Sequence, residues 1–196
     1  AKRGRDFETE YVRDLEVVQP RYPERDFAAG AAATLELMRG GVPLIYQGAL
    51  LDDDRLGLPD LLRRVDGESA LGAHHYEVLD VKSSGRPRSD QVLQVLFYSR
   101  LLATAQGRLP KHGALVLKDR REDRFAIADF HAAAADVEGE LLMLRDDARS
   151  ARPFLQRGCD SCHWNHHCLP ELAAAQDLSL VQGMSHGARA ILEAHG

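Results

Sequence analysis

The chain has 196 residues, of which 44% are hydrophobic and 28% are charged, which is enough for one globular domain with a core and a small appendage. No apolar run approaches the length that crosses a membrane, and the charged N-terminus has no hydrophobic segment of the kind found in signal peptides. The net charge of −5 excludes nucleic-acid binding through a global positive field, so such binding depends on local basic clusters. Each candidate cluster can also be a solvated face; the candidates are Arg63 with Arg64, residues 82–88, and Lys118 with Arg120 and Arg121.

The first half of the chain predicts helices followed by strands. Apolar residues at helical spacing predict amphipathic helices over residues 3–18 and 25–39. Strands are predicted over residues 42–51, 56–65 and 75–83. The first two strands are expected to form an antiparallel hairpin, with three consecutive aspartates in its solvated turn.

The second half predicts a crossover helix, a second hairpin and further helices. Helices are predicted over residues 89–105 and 131–149, and strands over residues 114–117 and 125–130. This order predicts an α/β fold with a central mixed β-sheet flanked by helices. The expected organisation is a core over residues 1–156, a cysteine-rich segment over 157–170 and a helical tail over 171–196. Because the chain opens without Met and ends soon after a new apolar pattern begins, we expect a fragment whose tail starts a further domain.

Two acids and a lysine carry the chemistry that the sequence suggests most strongly. Side chains alternate along a strand, so Asp80 and Lys82 share one face of the third predicted strand. Leu79 and Val81 then point to the opposite, apolar face. Asp60, which follows a proline, is expected on the neighbouring strand.

Hydrolysis of a phosphodiester needs charge neutralised on the phosphate and a water deprotonated near neutral pH. A divalent cation held by carboxylates does both. Asp60 and Asp80 could hold such an ion, with the carbonyl of Val81 as a third ligand. Lys82 would then reach the phosphate or the attacking water, and partial burial would lower its pKa. The alternative is a structural Asp–Lys ion pair inside the sheet, which is costly and uncommon.

Four short motifs, in this order along the chain, resemble those of the RecB-like branch of the PD-(D/E)xK nuclease superfamily. They are Gly4-x-x-x-Glu8, Gly57-x-x-Asp60, Asp80-x-Lys82 and Gln94-x-x-x-Tyr98. Many relatives carry His in place of Glu8, and Glu is commoner than Asp in the third motif. Both departures keep the ligand chemistry intact.

The resemblance implies a restriction-endonuclease-like core and a divalent-metal-dependent deoxyribonuclease. The implied ligands of Mg²⁺ or Mn²⁺ are Glu8, Asp60 and Asp80. Lys82 is implied to be catalytic, and Gln94 and Tyr98 to face the active site and position the nucleic acid. The implied reaction is exonuclease or flap-type cleavage of DNA, which we expect to be single-stranded.

The three cysteines are crowded into one short segment, as Cys159, Cys162 and Cys168. An odd number there argues against disulfides and for a metal or cluster site in a reducing compartment, which predicts a cytoplasmic protein. The spacing resembles the C-terminal half of the iron–sulfur site in CRISPR-associated RecB-like exonucleases and AddB-type helicase–nucleases, which implies a [4Fe–4S] cluster. In those families a fourth cysteine precedes the first helix, and this chain has no cysteine before Cys159.

Alternatives stay open for the cysteines and for the function. A Cys₃His zinc site is chemically reasonable because His163, His166 and His167 are close in sequence, and free cysteines in a loop are a third possibility. The whole chain could instead be a catalytically silent nucleic-acid-binding module of a helicase, or a zinc-stapled interaction domain. The silent module does not need to keep the acids and the lysine, and the zinc domain does not explain them. The expected partners are DNA and a helicase or further domains of the same chain, and no membrane.

Overall fold

The chain forms two compact units, residues 1–137 and 138–196, and the division falls within the helix His131–Asp146. The computed structural model describes residues 2–147 and 152–195, with side chains from residue 4 onward. The predicted domain limits at residues 156 and 170 stay a prediction. Among the described residues, no helix is both long enough and apolar enough to cross a lipid bilayer.

A five-stranded mixed sheet forms the centre of the first unit. Its strands in spatial order are β1 (Leu44–Tyr46), β4 (Leu61–Ser69), β5 (Gly72–Val81), β6 (His112–Val116) and β7 (Glu122–Ala126). Neighbouring strands are antiparallel except β5 and β6, which are parallel. A separate two-stranded sheet pairs β2 (Leu50–Asp52) with β3 (Arg55–Gly57). The helices are α1 (Lys2–Arg13), α2 (Phe27–Arg39), α3 (Ser89–Gln106) and α4 (His131–Asp146). The predicted α/β architecture, a mixed sheet flanked by helices, is confirmed.

The predicted hairpin between residues 42–51 and 56–65 is wrong in its extent, because both segments break into two short strands. β1 pairs with β4, whereas β2 pairs with β3. One break lies at Gln47, whose φ of 50° leaves the extended conformation, and the other at Pro59, which has no N–H to donate to a ladder. Asp60 consequently lies directly before β4 rather than within a strand.

Several further elements differ from the prediction at their ends; the strand predicted over residues 75–83 is β5, Gly72–Val81. α1 ends at Arg13 instead of residue 18, since Val18 is extended and forms a parallel bridge with Ile45. The predicted strand over residues 125–130 is split into the end of β7 and a 3₁₀ turn, Ile127–Phe130. The predicted helix over residues 131–149 is confirmed as α4, and residues 148–149 lie outside the described residues.

Strand β5 is buried on both faces and organises two hydrophobic clusters. Tyr76 and Val78 on one face belong to a cluster with residues of α2 and α3. Leu79 and Val81 on the other face share a cluster with Val12 of α1. Each fully buried aliphatic side chain stabilises the fold by about 1.5–3 kcal/mol. The parallel pairing of β5 with β6 requires a crossover, and α3 supplies it.

The second unit is built from short helices around one buried carboxylate. It contains the end of α4, the 3₁₀ turns Cys159–Ser161 and Leu178–Leu180, α5 (Asn165–Ala174) and α6 (His186–His195). Oδ1 of Asp177 accepts the N–H of Ser179 at 2.8 Å, and its carboxylate pairs with Arg152 and Arg189. The helical tail predicted over residues 171–196 is thus divided among the end of α5, a 3₁₀ turn and α6.

Candidate active site

The C-terminal end of β5 carries the predicted acid and lysine. Asp80 is the penultimate residue of the strand and is almost fully buried, with 1% of its surface exposed. Lys82 follows the last strand residue, and its Nζ lies 2.5 Å from Oδ2 of Asp80. Leu79 and Val81 pack in the opposite cluster, as strand alternation predicts. The two residues therefore share one side of the sheet and form an ion pair.

Asp60 is attached to the same strand end through two hydrogen bonds. Its Oδ2 accepts the N–H of Val81 at 2.7 Å, and its own N–H donates to Oδ1 of Asp80 at 3.4 Å. The fold thus brings together three of the four predicted ligands, which come from the start of β4 and the end of β5.

Burial and the neighbouring acids destabilise the ionised form of the Asp60 carboxyl group. Burial is the largest cause, and with the negative charges of Asp80 and Glu8 it raises the pKa of Asp60 to about 8, although the bond from Val81 opposes the shift. A divalent cation between the carboxylates would neutralise that repulsion. The acid pair is therefore an arrangement that a cation would stabilise.

One carboxylate oxygen at the centre of the site lacks a hydrogen bond. Oδ2 of Asp80 is buried, and among the residues that the structure describes it has no hydrogen-bond partner of acceptable geometry, despite its contact with Lys82. A buried polar atom without hydrogen bonds is costly. We therefore take the contact with Lys82 as a charge pair, and a metal ion can bind this oxygen only if the ammonium group moves aside.

The pKa of Lys82 shifts in the direction opposite to the expectation from the sequence. Burial alone lowers the pKa, but the charge and close contact of Asp80, with a contribution from Asp60, raise it above its ordinary value. The expectation of a lowered pKa is wrong because the acid lies close enough to outweigh the cost of burial. Lys82 is thus protonated near neutral pH and acts as a fixed positive charge.

Gln94 and Tyr98 of α3 hold the ammonium group of Lys82 in place. Nζ of Lys82 donates to Oε1 of Gln94 at 2.8 Å, and Nε2 of Gln94 donates to the hydroxyl of Tyr98 at 2.9 Å. The two α3 side chains are neighbours at i and i+4, as predicted. Burial, and then the charge of Asp80, raises the pKa of Tyr98, so its hydroxyl stays neutral. Gly57 leaves room for the ring, because a Cβ there would lie 2.8 Å from Cδ1 of Tyr98.

Glu8 of α1 is bound by two residues that sequence reasoning misses. Its Oε1 accepts hydrogen bonds from the hydroxyl of Tyr46 at 3.0 Å and from Nε2 of Gln47 at 3.1 Å. Both residues lie in a run that reads as a plain strand. The polar Gln47 within that mostly apolar run was the available signal.

An open cleft of about 620 Å³ connects these groups to solvent. The predicted site residues that line it are Glu8, Asp60, Val81 and Lys82. Arg5 and Arg88 also line it and add positive charge, although Arg88 pairs with Asp90 on its own helix. A groove of about 690 Å³ between residues 17–21 and α2 is slightly larger, but none of the predicted site residues lines it.

The carboxylates fit a divalent cation only in part. Within residues 2–147 and 152–195, no group of three or more His, Cys, Asp or Glu side chains is arranged to hold a metal ion. Glu8 therefore does not complete a ready-made set with the two aspartates. Asp60 and Asp80 themselves fit a cation, given their mutual repulsion and the buried oxygen without a hydrogen bond. The three-carboxylate site stays a prediction.

The cysteines lie at the start of the helical part of the second unit. Cys159 begins a 3₁₀ turn, Cys162 follows it, Cys168 lies in α5, and all three are free thiols. Sγ of Cys159 accepts the N–H of Gln156 at 3.4 Å. The described cysteines and histidines do not converge into a group that could hold a metal. Their arrangement therefore does not fit a cluster or zinc ion as it stands, and both assignments stay predictions.

Comparisons with protein-family models and with curated proteins find no match to this chain. The resemblance to RecB-like nucleases therefore rests on the four motifs and the cysteine spacing.

Proposed function

We propose that the chain is a divalent-metal-dependent nuclease that hydrolyses phosphodiester bonds of DNA. The observation that carries the proposal is a buried aspartate, Asp80, and a half-buried one, Asp60, beside a charged lysine at the end of β5. Oδ2 of Asp80 lacks a hydrogen bond, and Lys82 lies beside it with its ammonium group directed by Gln94. A purely structural ion pair accounts for the charge balance of Lys82, but it does not account for a second, half-buried acid, Asp60, at the same point.

The proposed roles follow from these positions. Asp60 and Asp80 would hold Mg²⁺ or Mn²⁺, with Glu8 and the carbonyl of Val81 as further ligands. The ion supplies charge neutralisation at the phosphate and a more acidic bound water. Lys82 contributes a fixed positive charge to a phosphate oxygen, because its raised pKa keeps it protonated. Gln94 and Tyr98 fix the position of the Lys82 ammonium group.

The cleft supports a nucleic-acid substrate. Arg5 and Arg88 on its walls are suited to bind phosphates on either side of the bond that is cut. Single-stranded DNA, an exonuclease or flap-type mode and a restriction-endonuclease-like core are proposed from the motifs. A mixed sheet whose acidic residues lie at the end of a central strand is compatible with that core.

A cysteine-bound group is a separate proposal. We propose that Cys159, Cys162 and Cys168 bind a [4Fe–4S] cluster with a fourth ligand from elsewhere, zinc being the alternative. Binding would require the thiols to move together. A helicase, or further domains of the same chain, are the proposed protein partners.

The test of the nuclease is degradation of end-labelled single-stranded DNA with Mn²⁺, Mg²⁺ or EDTA. We expect metal-dependent cleavage that falls roughly a hundredfold or more in Asp80→Asn, which removes a charge that holds the cation, and in Lys82→Ala, which removes a positive charge at the reacting phosphate. Asp66→Asn and Lys111→Ala are matched controls, since both residues are exposed in the same unit, and they should cleave like wild type. Cleavage that survives EDTA, or that survives both site variants, would refute the proposal. Binding of DNA without any cleavage would favour the silent module.

A further inference from the structure

We propose that Tyr46 and Gln47 are positioning residues that hold the carboxylate of Glu8 on the wall of the cleft, from which it joins Asp60 and Asp80 as a ligand when a divalent cation binds. The inference rests on the proposed metal-dependent function. It adds two residues that belong to none of the four motifs.

Both side chains bind the same oxygen of Glu8. The hydroxyl of Tyr46 lies 3.0 Å from Oε1, and Nε2 of Gln47 lies 3.1 Å from it. Nε2 of Gln47 also lies 3.0 Å from the hydroxyl of Tyr46, so the three groups form a closed triangle. Among the described residues, Oε2 of Glu8 makes no hydrogen bond. Glu8 lines the cleft together with Asp60.

The backbone of Gln47 ties this triangle to the acid pair. Its N–H donates to the carbonyl of Asp60 at 2.8 Å. The backbone of Gln47 thus fixes the main chain of Asp60, and its side-chain amide fixes the carboxylate of Glu8. This direct link between α1 and the start of β4 is the reason to assign Gln47 to the site.

Gln47 adopts a conformation that a residue in a plain strand would avoid. Its φ of 50° lies in the left-handed region, which is uncommon for a residue other than Gly, Asn or Asp. Such conformations persist where the surroundings enforce them, often at functional sites. The orientation of the amide is fixed as well, because Oε1 of Gln47 accepts a hydrogen bond from Nε2 of Gln19 at 3.0 Å. Nε2 is consequently left to face Glu8.

Outer groups that orient a metal ligand typically affect metal affinity by about 10–100-fold. We therefore expect Gln47→Gly and Tyr46→Phe each to weaken Mn²⁺ binding by about tenfold or more. Glycine suits the left-handed φ, and phenylalanine keeps the ring, so both variants should fold. Cleavage should require a correspondingly higher Mn²⁺ concentration in both variants.

The measurement is calorimetric titration of the full chain with Mn²⁺ alone, with Asp80→Asn protein as the background. Gln176→Gly is the matched control, because Gln176 is a second, exposed glutamine with a positive φ of 52°. Tyr22→Phe is the control for loss of a hydroxyl. A double variant, Glu8→Gln with Gln47→Gly, should bind Mn²⁺ no more weakly than Glu8→Gln alone, since Gln47 acts through Glu8.

The outcomes separate this inference from the function on which it rests. If wild type binds Mn²⁺ and cleaves DNA, and Gln47→Gly and Tyr46→Phe bind it equally well, the positioning role is wrong and the nuclease stands. Additive losses in the double variant would also overturn it. If wild type binds no Mn²⁺ above background, the metal site itself fails, and both proposals fall together.

Discussion

The role of Lys82 is decided by the groups around its ammonium. Asp80 keeps Lys82 protonated, and the amide of Gln94 fixes the direction of its ammonium group. Lys82 is therefore suited to contact a phosphate oxygen and unsuited to remove a proton. The pairing of Asp80 with Lys82 could be predicted, because alternation decides which side chains share a face of a strand. The direction of the pKa shift of Lys82 could not be predicted, because burial lowers the pKa and a close acid raises it. Only the distance between Lys82 and Asp80 decides which effect is larger.

Gly57 packs tightly against Tyr98 of the site. An added Cβ would lie 2.8 Å from Cδ1 of both Tyr98 and Leu101. We expect Gly57→Ala to lower the free energy of unfolding by about 1–3 kcal/mol, since overpacking forces neighbouring side chains to move. Displacement of Tyr98 should also release Gln94 and reduce cleavage. Urea unfolding followed by circular dichroism measures the first effect, and the nuclease assay measures the second.

Gly85 provides the matched control for this substitution. It is exposed in the loop before α3, with no atom within 4 Å of the position of an added Cβ. Gly85→Ala should therefore change the free energy of unfolding by no more than about 0.5 kcal/mol. Equal stabilities for the two alanine variants would contradict the assigned packing of Gly57.

At the scale of elements, β5 and α3 could be predicted, whereas the hairpin before them could not. β5 is an almost continuous buried run, and α3 has a long stripe of apolar residues, so each pattern has one reading. The segments around Gln47 and Pro59 also read as extended, but their tertiary contacts break them. Gln47 is bound to Asp60 and Glu8, which are distant in sequence. The positioning of Glu8 was therefore invisible to local patterns.

Asp177 links the 3₁₀ turn Leu178–Leu180 to Arg189 of α6. The stability of this part of the second unit therefore depends on pH in the acid range. Hydrogen bonds from Ser179, and then the charge of Arg189, lower the pKa of Asp177 from 3.8 to about 2. A carboxyl group whose pKa is lower in the folded state than in the unfolded state stabilises the fold. The stabilisation is complete above the pKa of the unfolded state and is lost as the pH falls through the pKa of the folded state. We expect the stabilisation from Asp177 to be complete above about pH 4 and to be lost progressively towards pH 2.

The variant Asp177→Asn isolates this charge, because asparagine can still cap the turn. The difference in free energy of unfolding between wild type and variant should be largest above pH 4 and shrink as the pH approaches 2. Urea unfolding at several pH values, followed by circular dichroism, measures it. Asp160→Asn, at an exposed position in the same unit, is the control for the substitution itself. A difference for Asp177→Asn that does not change with pH would mean that the charge does not contribute.

At the scale of the whole molecule, the net charge of −5 opposes binding to a polyanion. Binding to DNA then depends on the few cations that line the cleft, Arg5, Lys82 and Arg88. Lys82 is partly neutralised by Asp80 and Arg88 by Asp90, whereas Arg5 has no ion pair among the described residues. We therefore expect weak binding that is sensitive to salt, in which Arg5 makes the clearest single contribution.

This expectation can be measured as the slope of log affinity against log salt for labelled single-stranded DNA, with EDTA present to prevent cleavage. Each phosphate contact contributes about 0.7 to the slope for a single strand, so two to three contacts give about −1.4 to −2.1. Arg5→Ala should make the slope shallower by about 0.7 and weaken binding to all sequences alike. Arg121→Ala is the control, because Arg121 belongs to another predicted basic cluster and is exposed at the turn before β7. Loss of binding in Arg121→Ala, with Arg5→Ala unaffected, would place the DNA on a different surface and separate DNA binding from the cleft.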